Sequence, residues 1–157
     1  MREHGPVDEV AERLALALTE AGMQRMVARV LAAFLFSEQE SVTAGELGDQ
    51  LGASAGSISA AITVLRTVAM IEATPVPGSR RAHYRLRADA WATLMTKQNA
   101  MFTLLDDIGE AGLAVTDPDG PAAVRLRQMR SFYAYLQAEL PALIERWQRE
   151  QDAGRSS

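Results

Sequence analysis

Two adjacent arginines, Arg80 and Arg81, follow Pro77-Gly78-Ser79 and lead into the alternating run His83-Tyr84-Arg85-Leu86-Arg87. At such a tip, one guanidinium can enter a narrow, strongly negative minor groove while its neighbour holds phosphate. A second group lies upstream. Ser54 sits at a helix cap, and Gly56, Ser57, Ser59, Ala60, Thr63 and Arg66 occupy the outer side and margins of a helical pattern whose inner side carries Ile58, Ile62 and Leu65. Small residues allow close approach to base edges, hydroxyls donate or accept there, and Ala60 or Thr63 can touch a thymine methyl. The face has no Asn, Gln or central Arg for bidentate readout, so discrimination is expected to lean on DNA shape and on the arginine pair. Arg66 and Arg85 are assigned to phosphate, with His83 as a further candidate. The plain alternative is a solvated turn beside a surface helix of small residues, for which Ser and Thr are poor choices.

The groups that catalysis requires are not assembled. His4 and His83 have no metal-ligand spacing, and no G-x-S-x-G or phosphate-loop motif occurs. Ser79 lies near His83 but lacks a recognisable third member or oxyanion motif. The sequence contains no cysteine, which excludes disulfides and thiolate metal sites. No enzyme activity, cofactor or metal is therefore expected. A protein-docking module without DNA binding is the other competing class. Its second helix should expose apolar or acidic residues rather than hydroxyls beside a basic tip.

Capping signals show how these side chains are positioned. Thr43 is an N-cap with Glu46 as its capping-box partner, and Val42 can staple onto Leu47, so a helix is expected from about Ala44 to Leu51. Gly52 permits a sharp turn, and Ser54 caps a second helix. Two short helices about a glycine turn form a DNA-reading unit. MIEATPV then reads as a short strand, PGSRR as a turn and AHYRLR as a second strand with Ala82, Tyr84 and Leu86 on one face and His83, Arg85 and Arg87 on the other. Pro75 and Pro77 exclude a central strand, so the hairpin is expected at an exposed edge or to end there. Residues 41–43 are expected to add one residue pair to a small sheet.

Charge agrees with this assignment once it is divided by position. The formal net charge is −4, yet residues 54–87 carry five arginines against Glu72 alone, leaving −8 elsewhere. Focused basicity on an acidic body suits a DNA-facing surface, although a solvated hairpin can carry the same arginines. The N-terminus lacks the apolar core of a secretory signal, and no apolar run approaches the roughly 20 residues that span a bilayer. A soluble, cytoplasmic protein without membrane partners is expected.

The remaining segments read as helices. Residues 8–21 are amphipathic, and residues 23–36 are apolar over more than one stripe, marking a buried helix. A long helix is expected from Ala90 to about Ile108, broken by GEAGLAVTDPDGP, and another from Pro121, with Pro141 either kinking it or opening a last helix. The expected divisions are an N-terminal helix and dimer arm (1–22), a winged helix-turn-helix (23–88), a helical dimerisation region (89–152) and a disordered tail (153–157). The fold class is mainly α with a small β-hairpin wing. The flanking helices carry more apolar surface than the winged unit needs, so a homodimer is expected, with a monomeric bundle as the alternative. Met26, Trp91, Met95, Phe102, Met129 and Tyr133 are candidates to line a ligand crevice, although ordinary core packing accounts for the same residue types.

LGDQLGASAGSISAAITVLRTVAMIE resembles the helix-turn-helix of GbsR/MarR-type winged-helix regulators, and PGSRRAHYRL resembles their wing. The order of flanking helices extends the resemblance over nearly the whole chain. It implies a dimeric, DNA-binding regulator of transcription, often a repressor, with a small-molecule effector in many members. A two-fold dimer is in turn expected to read a pseudo-palindromic operator.

Overall fold

The computed structural model describes residues 5–156 and divides into two packed units, the first ending at Trp91 and the second beginning at Ala92. His4 and Ser157 lie outside the described residues.

The first unit opens with α1 (Pro6–Glu20), where the Asp8 carboxylate accepts the Gly5 N–H at 3.2 Å, and continues with α2 (Arg25–Leu35), capped by the Gln24 side chain at 3.0 Å from Val27 N. Gly22 turns the chain between them at a φ of 108°. Val30 and Leu31 of α2 are fully buried, as its all-round apolar pattern predicts. Ala15 of α1 packs with Ala28 and Ala32, and Arg29 Nε meets Glu12 at 3.0 Å while its Nη2 donates to the Leu51 carbonyl at 3.3 Å. These contacts seat α1 on α2 within the same unit and leave Val7, Val10 and Leu16 exposed.

β1 (Val42–Thr43) leads into α3 (Ala44–Leu51), which is followed by α4 (Ala55–Thr67), β2 (Ile71–Thr74) and β3 (His83–Leu86). The capping box forms as expected: Thr43 Oγ1 accepts from Glu46 N at 3.2 Å, and the Glu46 carboxylate accepts from Thr43 N at 2.8 Å. Gly52 ends α3 at a φ of 61°. Beneath the helix-turn-helix, Leu47, Ile58, Leu65 and Met70 are almost completely buried. The sheet order is β1-β3-β2, all antiparallel. β2 is one of the two edge strands, with β1 the other, and ends at Thr74, just before Pro75. β3 is not an edge strand, because Val42 and Thr43 pair with Tyr84 and His83 on its other side.

The second unit holds most of α5 (Ala90–Val115) and all of α6 (Pro121–Arg155). Both run past the boundaries expected from sequence. GEAGLAV stays helical because Gly109 and Gly112 face α6: a Cβ on Gly109 would lie 2.7 Å from Arg130 Cγ, and one on Gly112 would lie 3.0 Å from a Leu126 methyl. Their missing side chains thus permit close packing rather than ending the helix. Pro141 lies inside one helix that continues to Arg155, so the tail expected to be disordered from residue 153 is helical for three more residues. Phe102 stacks on Tyr133 at 5.0 Å between ring centres, and Arg130 Nε donates to Asp106 at 2.8 Å. That hydrogen bond, with the charges of Asp106, Glu110 and Asp107, raises the Arg130 pKa above its ordinary value despite some desolvation.

Candidate nucleic-acid interface

The face of α4 begins at its cap. Ser54 Oγ accepts from Ser57 N at 3.2 Å and donates to Ser57 Oγ at 3.0 Å, fixing the first turn. Gly56, Ser57, Ser59, Ala60, Thr63 and Arg66 are all exposed, opposite buried Ile58, Ile62 and Leu65. Thr63 Oγ1 donates to the Ser59 carbonyl at 2.9 Å, and Thr67 Oγ1 to the Thr63 carbonyl at 2.8 Å. The Thr63 hydroxyl proton is thus used within the helix, leaving its oxygen lone pairs and methyl group for a ligand. The result is a shallow surface suited to close approach and methyl contact, with little capacity for bidentate readout.

The wing tip is built by a type II turn. Pro77 occupies its second position, Gly78 its third at a φ of 81°, and Ser79 N–H donates to the Val76 carbonyl at 3.1 Å. Only a residue without Cβ takes that third position freely. Arg80 and Arg81 follow, both exposed, and neither guanidinium has an acidic partner among the described residues.

The other cations are less available. Arg85 stands opposite Glu72 in the ladder, and its Nε donates to that carboxylate at 2.8 Å. Arg87 donates to both oxygens of Asp89 at 3.0 and 3.1 Å, with Glu72 at 3.9 Å. The Asp89 hydrogen bond and charge raise the Arg87 pKa, outweighing desolvation, and Glu72 adds to the effect. Arg66 lies over the Tyr84 ring at 5.7 Å from its centre, joining α4 to the middle strand of the wing. His83 has a hydroxyl at each ring nitrogen: Ser41 Oγ 3.3 Å from Nδ1 and Ser79 Oγ 2.9 Å from Nε2. Arg66, Arg80 and Arg81 are therefore the cations at this surface without an acidic partner among the described residues. The sequence reading missed Glu72 and Ser41, whose partners are set by strand register; for Ser79, only its proximity to His83 was visible beforehand.

The six residues expected to line a ligand crevice fall in both units. Met26 is half-buried in α2, while Trp91 and Met95 are exposed at the start of α5. Phe102, Tyr133 and Met129 pack between α5 and α6, with the Met129 methyl 3.2 Å from the position of a Cβ on Gly109. A hollow of about 220 Å³ in the second unit is lined instead by Thr96, Asn99, Leu140, Pro141, Ile144, Glu145 and Gln148. No helix among the described residues is long and apolar enough to cross a membrane.

Comparison with known proteins agrees with this geometry. Residues 21–82 match the MarR family, and residues 89–150 match the family described as MmpR5-like MarR family transcriptional regulator. The HTH-type transcriptional regulator MmpR5 of Mycobacterium tuberculosis is 31% identical over 130 residues, covering 82% of this chain and 79% of that protein. A crystal structure of a transcriptional regulator aligns with a TM-score of 0.78 at 27% identity, covering 92% of this chain and 99% of the other.

Proposed function

The chain belongs to the MarR family of DNA-binding transcriptional regulators, and on that premise we propose that it works as a homodimer on a pseudo-palindromic operator in double-stranded DNA. Each α4 enters a major groove, and each wing tip reaches the neighbouring minor groove. The two recognition helices then stand about one helical turn, roughly 34 Å, apart. The observation that carries this reading is the pairing of a hydroxyl-rich, exposed α4 face with a tip whose Arg80 and Arg81 lack acidic partners among the described residues. Such a protein acts in the cytoplasm, where the DNA is. Occupying an operator suffices to block a promoter, so repression is the expected sign.

Replacing both tip residues, Arg80→Ala with Arg81→Ala, is expected to weaken operator binding and lower its salt slope by about one to two, with folding and self-association unchanged. A mobility-shift titration over a salt series measures this, and unchanged affinity would remove the wing from the interface. No binding even to nonspecific DNA at low salt would favour a protein-docking module.

A small apolar ligand is proposed to relieve binding by favouring one spacing of the two recognition helices. Methionine and aromatic side chains such as Met95 and Phe102 supply adaptable apolar surface for it. Thermal-shift screening paired with operator binding tests the idea: stabilisation without any change in DNA affinity would argue against effector control.

A further inference from the structure

We infer that His83 is a positioning residue, which orders the wing tip through Ser79 instead of holding phosphate itself. The inference rests on the proposed contact between wing and DNA. Ser79 closes the type II turn, and ladder pairing resumes only at His83, opposite Thr43 and Thr74. Residues 80–82 between them are exposed, and such a span would ordinarily sample many conformations.

A chain of hydrogen bonds crosses this span. Arg81 N–H donates to Ser79 Oγ at 3.2 Å, Ser79 Oγ lies 2.9 Å from His83 Nε2, and His83 Nδ1 lies 3.3 Å from Ser41 Oγ. With the imidazole proton on Nδ1, the links run in one direction: Arg81 N–H to Ser79 Oγ, Ser79 O–H to Nε2, and Nδ1–H to Ser41 Oγ. The other tautomer also satisfies both nitrogens, with Nε2–H donating to Ser79 and the Ser41 hydroxyl to Nδ1. Ser41 precedes β1, and β1 leads directly into the capped start of α3. The relay therefore ties the arginine-bearing tip to the strand that anchors the helix-turn-helix. Because both ring nitrogens are engaged, a phosphate could reach His83 only by breaking a link. A tip ordered before binding has less conformational freedom to lose on DNA.

Operator affinity over a salt series tests this with Ser79→Ala, His83→Ala, their combination and Ser79→Thr, each also made with Arg80→Ala and Arg81→Ala. Ser79→Ala and His83→Ala should each weaken binding about five- to tenfold, the scale of one hydrogen bond. Their combination should cost no more than either alone, the salt slope should stay at the wild-type value, and Ser79→Thr should bind like wild type. Without Arg80 and Arg81, neither substitution should matter. A lower salt slope in His83→Ala with normal affinity in Ser79→Ala would make His83 a phosphate ligand and overturn the inference. Normal affinity in Ser79→Ala and His83→Ala while the arginine variant binds weakly would overturn the relay alone. Normal affinity in the arginine variant would remove the wing contact and the inference with it. Ser79 is exposed in a turn, so Ser79→Ala decides the matter if His83→Ala fails to fold.

Discussion

Glu72 ties up part of the wing's positive charge. Its carboxylate takes Arg85 Nε at 2.8 Å and stands 3.9 Å from Arg87. A phosphate approaching Arg85 must compete with that pair and meets the repulsion of Glu72 itself. Glu72→Gln keeps the side-chain shape but removes the charge. It is expected to raise affinity for nonspecific DNA several-fold at low salt and to steepen the salt slope by about one as Arg85 becomes available. A fluorescence-anisotropy titration measures both, and unchanged affinity would show that Arg85 lies off the DNA path. The pair is exposed, so its loss should scarcely alter stability.

At the scale of elements, the end of α4 sets where the wing begins. Met70 N donates to the Leu65 carbonyl at 2.9 Å and Ala69 N to the Arg66 carbonyl at 3.0 Å, the Schellman arrangement, with buried Met70 and Leu65 as its apolar pair. The left-handed position within it is filled by Ala69 at a φ of 56°. A Cβ is unfavourable there, so Ala69→Gly is expected to stabilise the protein by about 0.5–1 kcal/mol while leaving DNA affinity unchanged. Urea unfolding measures the change, and a loss of stability would contradict this account of the cap. The start of α3 was readable from Thr43 and Glu46 because a capping box closes within four residues. The extent of α5 was not, because a glycine that breaks a helix and a glycine that admits a neighbouring helix look alike until the neighbour is known.

At the scale of the whole molecule, few of the described residues of the second unit are fully buried. Among its described residues only Ala92, Gly109, Gly120 and Ala123 are buried, while Met101, Leu104, Ile108 and Val115 of α5 and Phe132 and Tyr135 of α6 are more than half exposed. Met101, Leu104, Ile108 and Val115 recur at spacings of three, four and seven, which places them on one stripe. An apolar stripe of that length supports pairing with a second copy over a monomeric bundle. Leu104→Glu with Ile108→Glu is expected to convert a dimer into a monomer in sedimentation velocity and to reduce full-operator affinity at least tenfold, since only one half-site is then held at a time. A monomeric wild type at micromolar concentration would end the dimer proposal.

The sequence by itself determined the features whose partners lie within a few residues: the Thr43–Glu46 box, the Gly52 turn, the Ser54 cap, the Pro77–Gly78 bend and the arginines beyond it. Short-range hydrogen bonds and backbone preferences depend on neighbouring residue types, so they can be read along the chain. Tertiary structure alone decided that β1 joins β3, that Glu72 faces Arg85, that Tyr84 lies beneath Arg66, and that Ser41 meets His83 from 42 positions away. Those pairings follow from strand register and from how helices pack on the sheet. Many partners of suitable chemistry exist along the chain, and only the folded arrangement selects among them.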